Sequence, residues 1–480
     1  MDLDLDLENI DDTADAYDLD ELYDYEFGDE YDQQIEIEWP PLSSVYQNCV
    51  QPTLFGDSLT LVYQIILLAS LQRLAANLVF LPKWFPVLTT LSGGIWLLSR
   101  HLAGLPMYLI TGYSGAGVIF LICAANWGSL RRYAGLLAVL FSALVMIGCQ
   151  CFLEARTFTK LRGALMISIM KVVGVGFDLQ NSVLVHTLSP LTLSAYLFDS
   201  STVVFGPWIS FTQFVLMLQP RDARNIVLSV AHGVLRAVCA LFCLLYSQCV
   251  ITWLLPDGMQ YYSKWLAAFG DAQSFRFSHY FVAFLCEAAV LIAGMDYGSG
   301  HAVARPLEIE LPRSLVNVVV SWDVPMHTWL KIYVFRQTKG FGNFVAVLLT
   351  YVASSLLHGL NFQLSAVLLS LGVYTYAEHV LRHKLARIYD ACVNSRSCIP
   401  ESDQSSCGHA YQKFHPLVLL TNAAFLLLAL FHLAYLGAVF DSSAGQETGY
   451  DWHHAVSKWG SLDYTSHYVA GVTLFLAKAV

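Results

Sequence analysis

The feature that most constrains this chain is a succession of long apolar runs. They fill it from about residue 58 to the end, with only short polar breaks between them. A helix needs roughly 20 apolar residues to cross a bilayer. Runs of that kind stand at 59–81, 104–126, 133–153, 226–254, 279–296, 344–381 and 414–440. Less regular ones stand at 86–100, 165–177, 202–218 and 463–480. The expected fold is therefore all-α and polytopic, with about ten or eleven membrane helices. Several candidates are short or broken by Gly and Pro. Such breaks are tolerated where backbone is buried in protein or lines a cavity, so re-entrant segments are expected as well. Charged residues make up only 13% of the chain, against about 25% in a soluble domain, which excludes an ordinary soluble fold.

The charge is unevenly spread. Residues 1–40 hold 17 of the 37 acids and no Lys or Arg, and the first basic residue is Arg73. The remaining 20 acids face 26 bases, a formal +6. Two parts are expected: an acidic, disordered tail over 1–55, and a mildly basic membrane domain over 56–480. The tail has no basic n-region, so the first apolar helix is expected to serve as an uncleaved signal. Basic residues cluster at Arg131–Arg132, at Arg156, Lys160 and Arg162, at Arg221 and Arg224, and at Arg382, Lys384, Arg387 and Arg396. The positive-inside rule assigns all four clusters to the cytosol. The acidic loop 441–463 is expected on the other side, with the C-terminus returning to the cytosol. Cys123, Cys149, Cys151, Cys239, Cys243, Cys249 and Cys286 lie in or beside apolar segments and read as buried thiols. Cys392, Cys398 and Cys407 fall in a basic loop, where a juxtamembrane thiol is open to S-palmitoylation.

Two stretches carry candidate chemistry. In Tyr351–Glu378, His358 is the one histidine of a long apolar run. Ionisable groups inside a membrane are costly and mark functional sites, and a neutral imidazole is the form a general base needs. Gly359 beside it lets another backbone or a ligand approach. The competing reading is a histidine that hydrogen-bonds two helices together. In Arg305–Phe335, Asp323 sits between Trp322 and Pro325, with His327 four residues on. Asp323 reads either as a helix N-cap or as a partner of His358, 35 residues away and brought near only by folding. Glu378, His379 and His383 offer a ligand-like spacing, but a polar helix end explains them as well, and no metal is expected. His453 and His454 read as exposed loop residues. Phe205–Trp208 reads as an interfacial turn or as the lining of a lipid entrance.

Seven segments together resemble a known family: GFDL at 176–179, VVFGPWISF at 203–211, RPLEIELPRS at 305–314, SWDVPMHTWL at 321–330, LLHG at 356–359, YAEHVLRHKLARI at 376–388 and FHLAYLG at 431–437. The chain is similar to the membrane-bound O-acyltransferases from about residue 60 to its end. Within them it resembles the members that acylate Wnt proteins. The resemblance implies transfer of palmitoleate from palmitoleoyl-CoA to a serine hydroxyl of Wnt in the endoplasmic reticulum membrane, with no cofactor beyond the acyl-CoA substrate and no nucleic-acid partner. It puts the family's histidine on His358. The second active-site position, Asn or Asp across the family, falls on Asp323.

A serine hydroxyl is a weak nucleophile and needs a base within hydrogen-bond reach. His358 is expected to be that base. Asp323 either orients and stabilises the imidazole or, when protonated, donates to the thioester oxyanion. Trp322, Tyr351 and Ser354 are expected to line the acyl slot, and Arg382, Lys384 and Arg387 to attract the CoA phosphates. Other readings are a family member acting on a lipid or another secreted peptide, a transporter, whose buried histidine would couple ions, and an inactive scaffold.

Overall fold

The computed structural model describes residues 39–184, 188–256, 262–296, 302–396, 408–441 and 452–480. The acidic stretch 1–38 lies outside the described residues. Residues 42–55, grouped with the tail by composition, form a helical arm.

The membrane body is helical. α1 (Asp57–Asn77) and α2 (Trp84–His101) pack on one another, and α3 (Leu105–Asn126) and α4 (Ala134–Phe152) pack on α5 (Ala155–Gln180). α5 is apolar and buried on nearly every face from Phe158 to Leu179, as expected of a helix at the centre of a bundle. Small residues admit it closely: a Cβ at Gly135 of α4 would lie 2.3 Å from the Phe177 ring. α6 (Ala223–Leu245) continues to Leu254 and packs along α7 (Lys264–Ala293). There follow two short helices, α8 (Leu315–Trp322) and α9 (Val324–Leu330), and then α10 (Asn343–Leu357) and α11 (Phe362–Ile388). α12 (Pro416–Gly437), α13 (Trp452–Ser461) and α14 (Thr465–Ala479) complete the described chain.

Two apolar cores result. One joins α1 to α5 with the 190–218 stretch, and the other joins α11, α12 and α14 with residues 303–318. α7 belongs to both, giving Leu285 and Ala289 to the first and Tyr280, Ala283 and Cys286 to the second. Its helix is the seam of the molecule.

Eight helices among the described residues are long and apolar enough to cross a membrane. The apolar run 344–381 is two helices, α10 and α11, separated at His358–Asn361. The weak candidate 165–177 is part of the 26-residue α5, which also takes in Arg156, Lys160 and Arg162. Stretch 202–218 holds only the short helix Phe211–Met217 after an irregular segment.

These boundaries correct the charge-based topology. α4 has 19 residues, a length of about 28 Å, so the breaks at its two ends face opposite sides. Arg131–Arg132 and the Arg156–Arg162 group therefore cannot share a compartment. A disulfide between Cys49 and Cys249 supplies the orientation. It fastens the helical arm to the far end of α6, and Trp253 Nε1 donates to the Pro40 carbonyl (3.0 Å) at the same end. Disulfides persist on the oxidising side of a membrane. At the opposite end, Arg73 donates to the carbonyls of Met217 (3.1 Å) and Gln219 (2.7 Å), near Arg221 and Arg224, which suits the cytosol. Cys249 is thus a bridged cysteine rather than a thiol, and Cys151 is exposed rather than buried. Cys392 is buried. His453 and His454, read from sequence as loop residues, belong to α13, and His454 Nε2 lies 3.1 Å from the Val439 carbonyl.

Labelling with a maleimide polymer should tag Cys151 without reductant, and Cys49 and Cys249 only after reduction. Cys49→Ser should open Cys249, which is buried in the fold, to the reagent in denatured protein without reductant, read as a gel shift; equal labelling of Cys249 in both denatured proteins would contradict the bridge.

Candidate active site

The site forms where two helices stop inside the bundle. α8 begins at Ser314, whose hydroxyl accepts from the Asn317 amide (3.4 Å), and ends at Trp322. Asp323 is extended, with φ −141° and ψ 93°. Its Oδ1 accepts from the Met326 amide (2.8 Å), so it caps α9, with Pro325 in the first turn. The N-cap reading of Asp323 therefore holds, and it does not exclude chemistry at Oδ2.

A helix break frees backbone groups that lipid cannot satisfy. Here the protein meets them one by one. Ser321 O accepts from Arg305 N (3.0 Å), and Val324 N donates to Val303 O (2.8 Å). Trp322 O is met by a side chain, His279 Nε2 of α7, at 2.8 Å. The His279 ring also stacks on the Trp322 indole, with centroids 4.6 Å apart and planes 12° apart. Phe275, one turn earlier on α7, stacks on the same indole at 6.0 Å and on Phe440 at 4.1 Å.

His358 occupies the second break. α10 stops because Gly359 takes φ +82°, a left-handed conformation that favours glycine. Its amide donates to Leu356 O (3.0 Å). Asn361 then restarts the chain as the cap of α11, its Oδ1 accepting from the Leu364 amide (3.1 Å). The turn rests on α4 and α5. The Leu360 amide donates to Gln150 Oε1, and a Cβ at position 359 would lie 3.0 Å from the Phe158 ring. His358 is thus in a tight turn at the end of a helix, not midway along one. The residue as a whole is half-buried.

These pieces converge. His358 lies within electrostatic reach of His279 and of Arg162, one helical turn beyond Phe158 on α5. His279 lies within reach of Asp323, and so does Cys286 of α7. His279 of α7 thus stands at the first break and within electrostatic reach of the second. Sequence reading missed His279 because it stands where an apolar candidate begins, at 279, and looks like a polar border.

The expected lining residues divide. Trp322 is at the centre of the cluster. Tyr351 packs instead against Gly372 of α11, where a Cβ would lie 3.1 Å from its ring. Ser354 is buried, and its carbonyl accepts from the His358 amide (3.3 Å). A small cavity does open beside the cluster, lined by Ile65, Ser200, Phe205, Gly206, Cys286 and Ala289, among others. It includes part of the 205–208 turn. Arg382 is not available to CoA phosphates: it is fully buried, pairs with Glu378 (3.1 Å) and donates to the Arg313 carbonyl and Asn422 Oδ1 (3.2 Å). The exposed bases near the site are Lys331 and Arg396, which flank His327, with His379 close to Arg396.

Comparison with known proteins is consistent with this geometry. The model of the MBOAT, membrane-bound O-acyltransferase family, matches residues 136–388, which span both breaks. Protein-serine O-palmitoleoyltransferase porcupine of Mus musculus is 37% identical over 454 residues, covering 88% of this chain and 94% of the relative. The protein of that name from Homo sapiens gives the same identity and coverage. Its counterpart in Anopheles gambiae is 36% identical over 341 residues, 65% of this chain and 68% of its own.

Gly359→Ala tests the turn. The added Cβ meets both the left-handed φ and the Phe158 ring, so the protein should lose about 1–2 kcal/mol or more. This should be read as a lower thermal midpoint in detergent, whereas Gly340→Ala, in open space, should leave the midpoint unchanged.

Proposed function

The chain belongs to the membrane-bound O-acyltransferase family, and from that premise we propose that it transfers palmitoleate from palmitoleoyl-CoA to a serine hydroxyl of Wnt proteins at the endoplasmic reticulum membrane. The observation that carries this reading is a pair of helix breaks inside one bundle that carry Asp323 and His358, with His279 of α7 bonded to one and within electrostatic reach of the other. The names of the porcupine relatives supply the acyl group and the serine.

His358 is the base. Its neutral imidazole takes the proton of the acceptor hydroxyl as the oxygen attacks the thioester carbon. The C–O bond forms, the C–S bond breaks, and the imidazolium returns the proton to the thiolate of CoA. Asp323 stands where the thioester carbonyl would develop negative charge, and the low-dielectric surroundings strengthen any hydrogen bond it gives there. Transfer is direct, with donor and acceptor bound together.

The two substrates come from opposite sides. The CoA head is anionic and cytosolic, and the exposed Lys331 and Arg396, beside His327 and His379, offer positive charge that suits its phosphates. The His358 turn packs on Gln150 and Phe158, and a secreted acceptor would reach the base from the oxidising side.

An acylation assay in cells lacking their own such enzyme tests the reaction. Wnt supplied with an alkyne-tagged monounsaturated fatty acid should take hydroxylamine-sensitive label on serine with the wild-type chain and lose it with His358→Ala at equal protein level. Label that survives the substitution would remove His358 from its role; an unlabelled Wnt with the wild-type chain would reject the reaction.

A further inference from the structure

Glu287 of α7 is a buried carboxylate that the proposed chemistry leaves unused. Its side chain is 1% exposed and lies on a helix long and apolar enough to cross a membrane. A charge in such a place is costly and marks a task. Its two oxygens have different partners. Oε2 pairs with Arg236 Nε of α6 at 3.0 Å, and the Arg236 guanidinium also lies over the Phe284 ring at 5.5 Å. Oε1 accepts from the Val303 amide at 2.7 Å.

Joining α6 to α7 does not account for the carboxylate. The two helices already meet closely, since a Cβ at Gly233 of α6 would lie 2.6 Å from the Ile292 side chain. An apolar contact would serve that purpose without desolvating an anion. The Val303 amide is the partner that a helix–helix contact does not need. Val303 lies in the segment that closes the first break. Its carbonyl accepts from the Val324 amide (2.8 Å), and two residues later the Arg305 amide donates to Ser321 O (3.0 Å). Asp323 stands between these two bonds. The segment is thus held from both sides, by the break on one and by Glu287 on the other. An amide that donates to a carboxylate is bound roughly twice as strongly as one that donates to a neutral acceptor.

We propose that Glu287 is a positioning residue for the acyl transfer. It acts through Val303 and Val324 on Asp323, and Arg236 matches its charge. The inference rests on the role given to Asp323 above. The bonds run from Arg236 to Glu287, from Glu287 to the Val303 amide, and from the Val303 carbonyl to Val324. They end beside the residue that meets the developing charge, so a shift of Val303 moves Asp323 without touching either substrate. A misplacement of about 1 Å at reacting groups costs about a hundredfold in rate.

Two double variants separate the hydrogen bond from the charge, in the purified full-length chain with palmitoleoyl-CoA and a serine peptide as acceptor. The first, Arg236→Met with Glu287→Gln, removes both charges and keeps an acceptor for the Val303 amide. The second, Arg236→Met with Glu287→Met, removes the acceptor as well. Neither leaves a buried charge unpaired. The first should keep kcat within about threefold of wild type. The second should lower kcat about tenfold or more, with the KM for the donor within about twofold. Equal kcat in the two double variants, or a loss confined to KM, would overturn the proposal. If the second does not fold, Glu287→Asp decides. It keeps the charge opposite Arg236 but is one carbon too short to hold the Val303 amide as well, so kcat should fall in the same way; wild-type kcat there would sink the idea. Hydrogen exchange provides a readout that needs no acceptor. The peptide that covers Val324 should exchange faster in the second double variant, or in Glu287→Asp, than in the first. Equal exchange would show that Glu287 does not hold the break. A wild-type chain that does not acylate the peptide bears on the proposed reaction instead, and the exchange measurement still decides the part played by Glu287.

Discussion

The structure depends on one constraint: within a bilayer, a backbone that leaves its helix must find every lost hydrogen bond inside the protein. At Trp322–Asp323 the chain leaves its helix for one residue. That requires segment 303–305 to lie alongside and α7 to present a polar ring to a single carbonyl. Both requirements are met by α7, the helix that both apolar cores share. Its position is therefore over-determined. It is held by packing on two sides and by a hydrogen bond at the break, which suits an element that must keep reacting groups in register.

The second break follows a different logic. His358 ends its helix through a glycine in the left-handed region and an asparagine that caps the next one. The turn is local, but its seat is not, since Gln150 and Phe158 come from two other helices. Asp323 and His358 thus sit on separate supports, a helix-end cap on one side and a tight turn on the other. Chemistry that needs both an oxyanion partner and a proton acceptor gains from this, because each can be held rigid without straining the other.

Much of this was legible in the sequence. The apolar runs gave helices where expected, and His358 and Asp323 stood out as polar residues in apolar surroundings. The split of 344–381 was also written there, since His-Gly-Leu-Asn combines a helix stop with a cap, but the length of the run concealed it. His279 was harder. Its neighbours Phe275 and Trp322 show its role only once α7 and the break are side by side. The charge clusters misled for a physical reason. Arg382 stands one turn after Glu378, a spacing that forms a pair on one helix face, and the pair is buried instead of solvated. The partner of Cys249 was not deducible, because the proximity that a disulfide needs is a property of the fold.

That disulfide also bears on how the protein is made. Its cysteines are 200 residues apart in the sequence. At ribosomal speed the second follows the first by about 10–40 s. During that interval α1 to α5 are synthesised while the arm still carries a free thiol. The arm is thus among the first described segments made, yet it can be locked only after the centre of the bundle exists. Its bridge is a seal on an assembled body rather than a guide to its assembly. A chain released early would carry Cys49 unpaired, a chemical mark by which incomplete copies differ from finished ones.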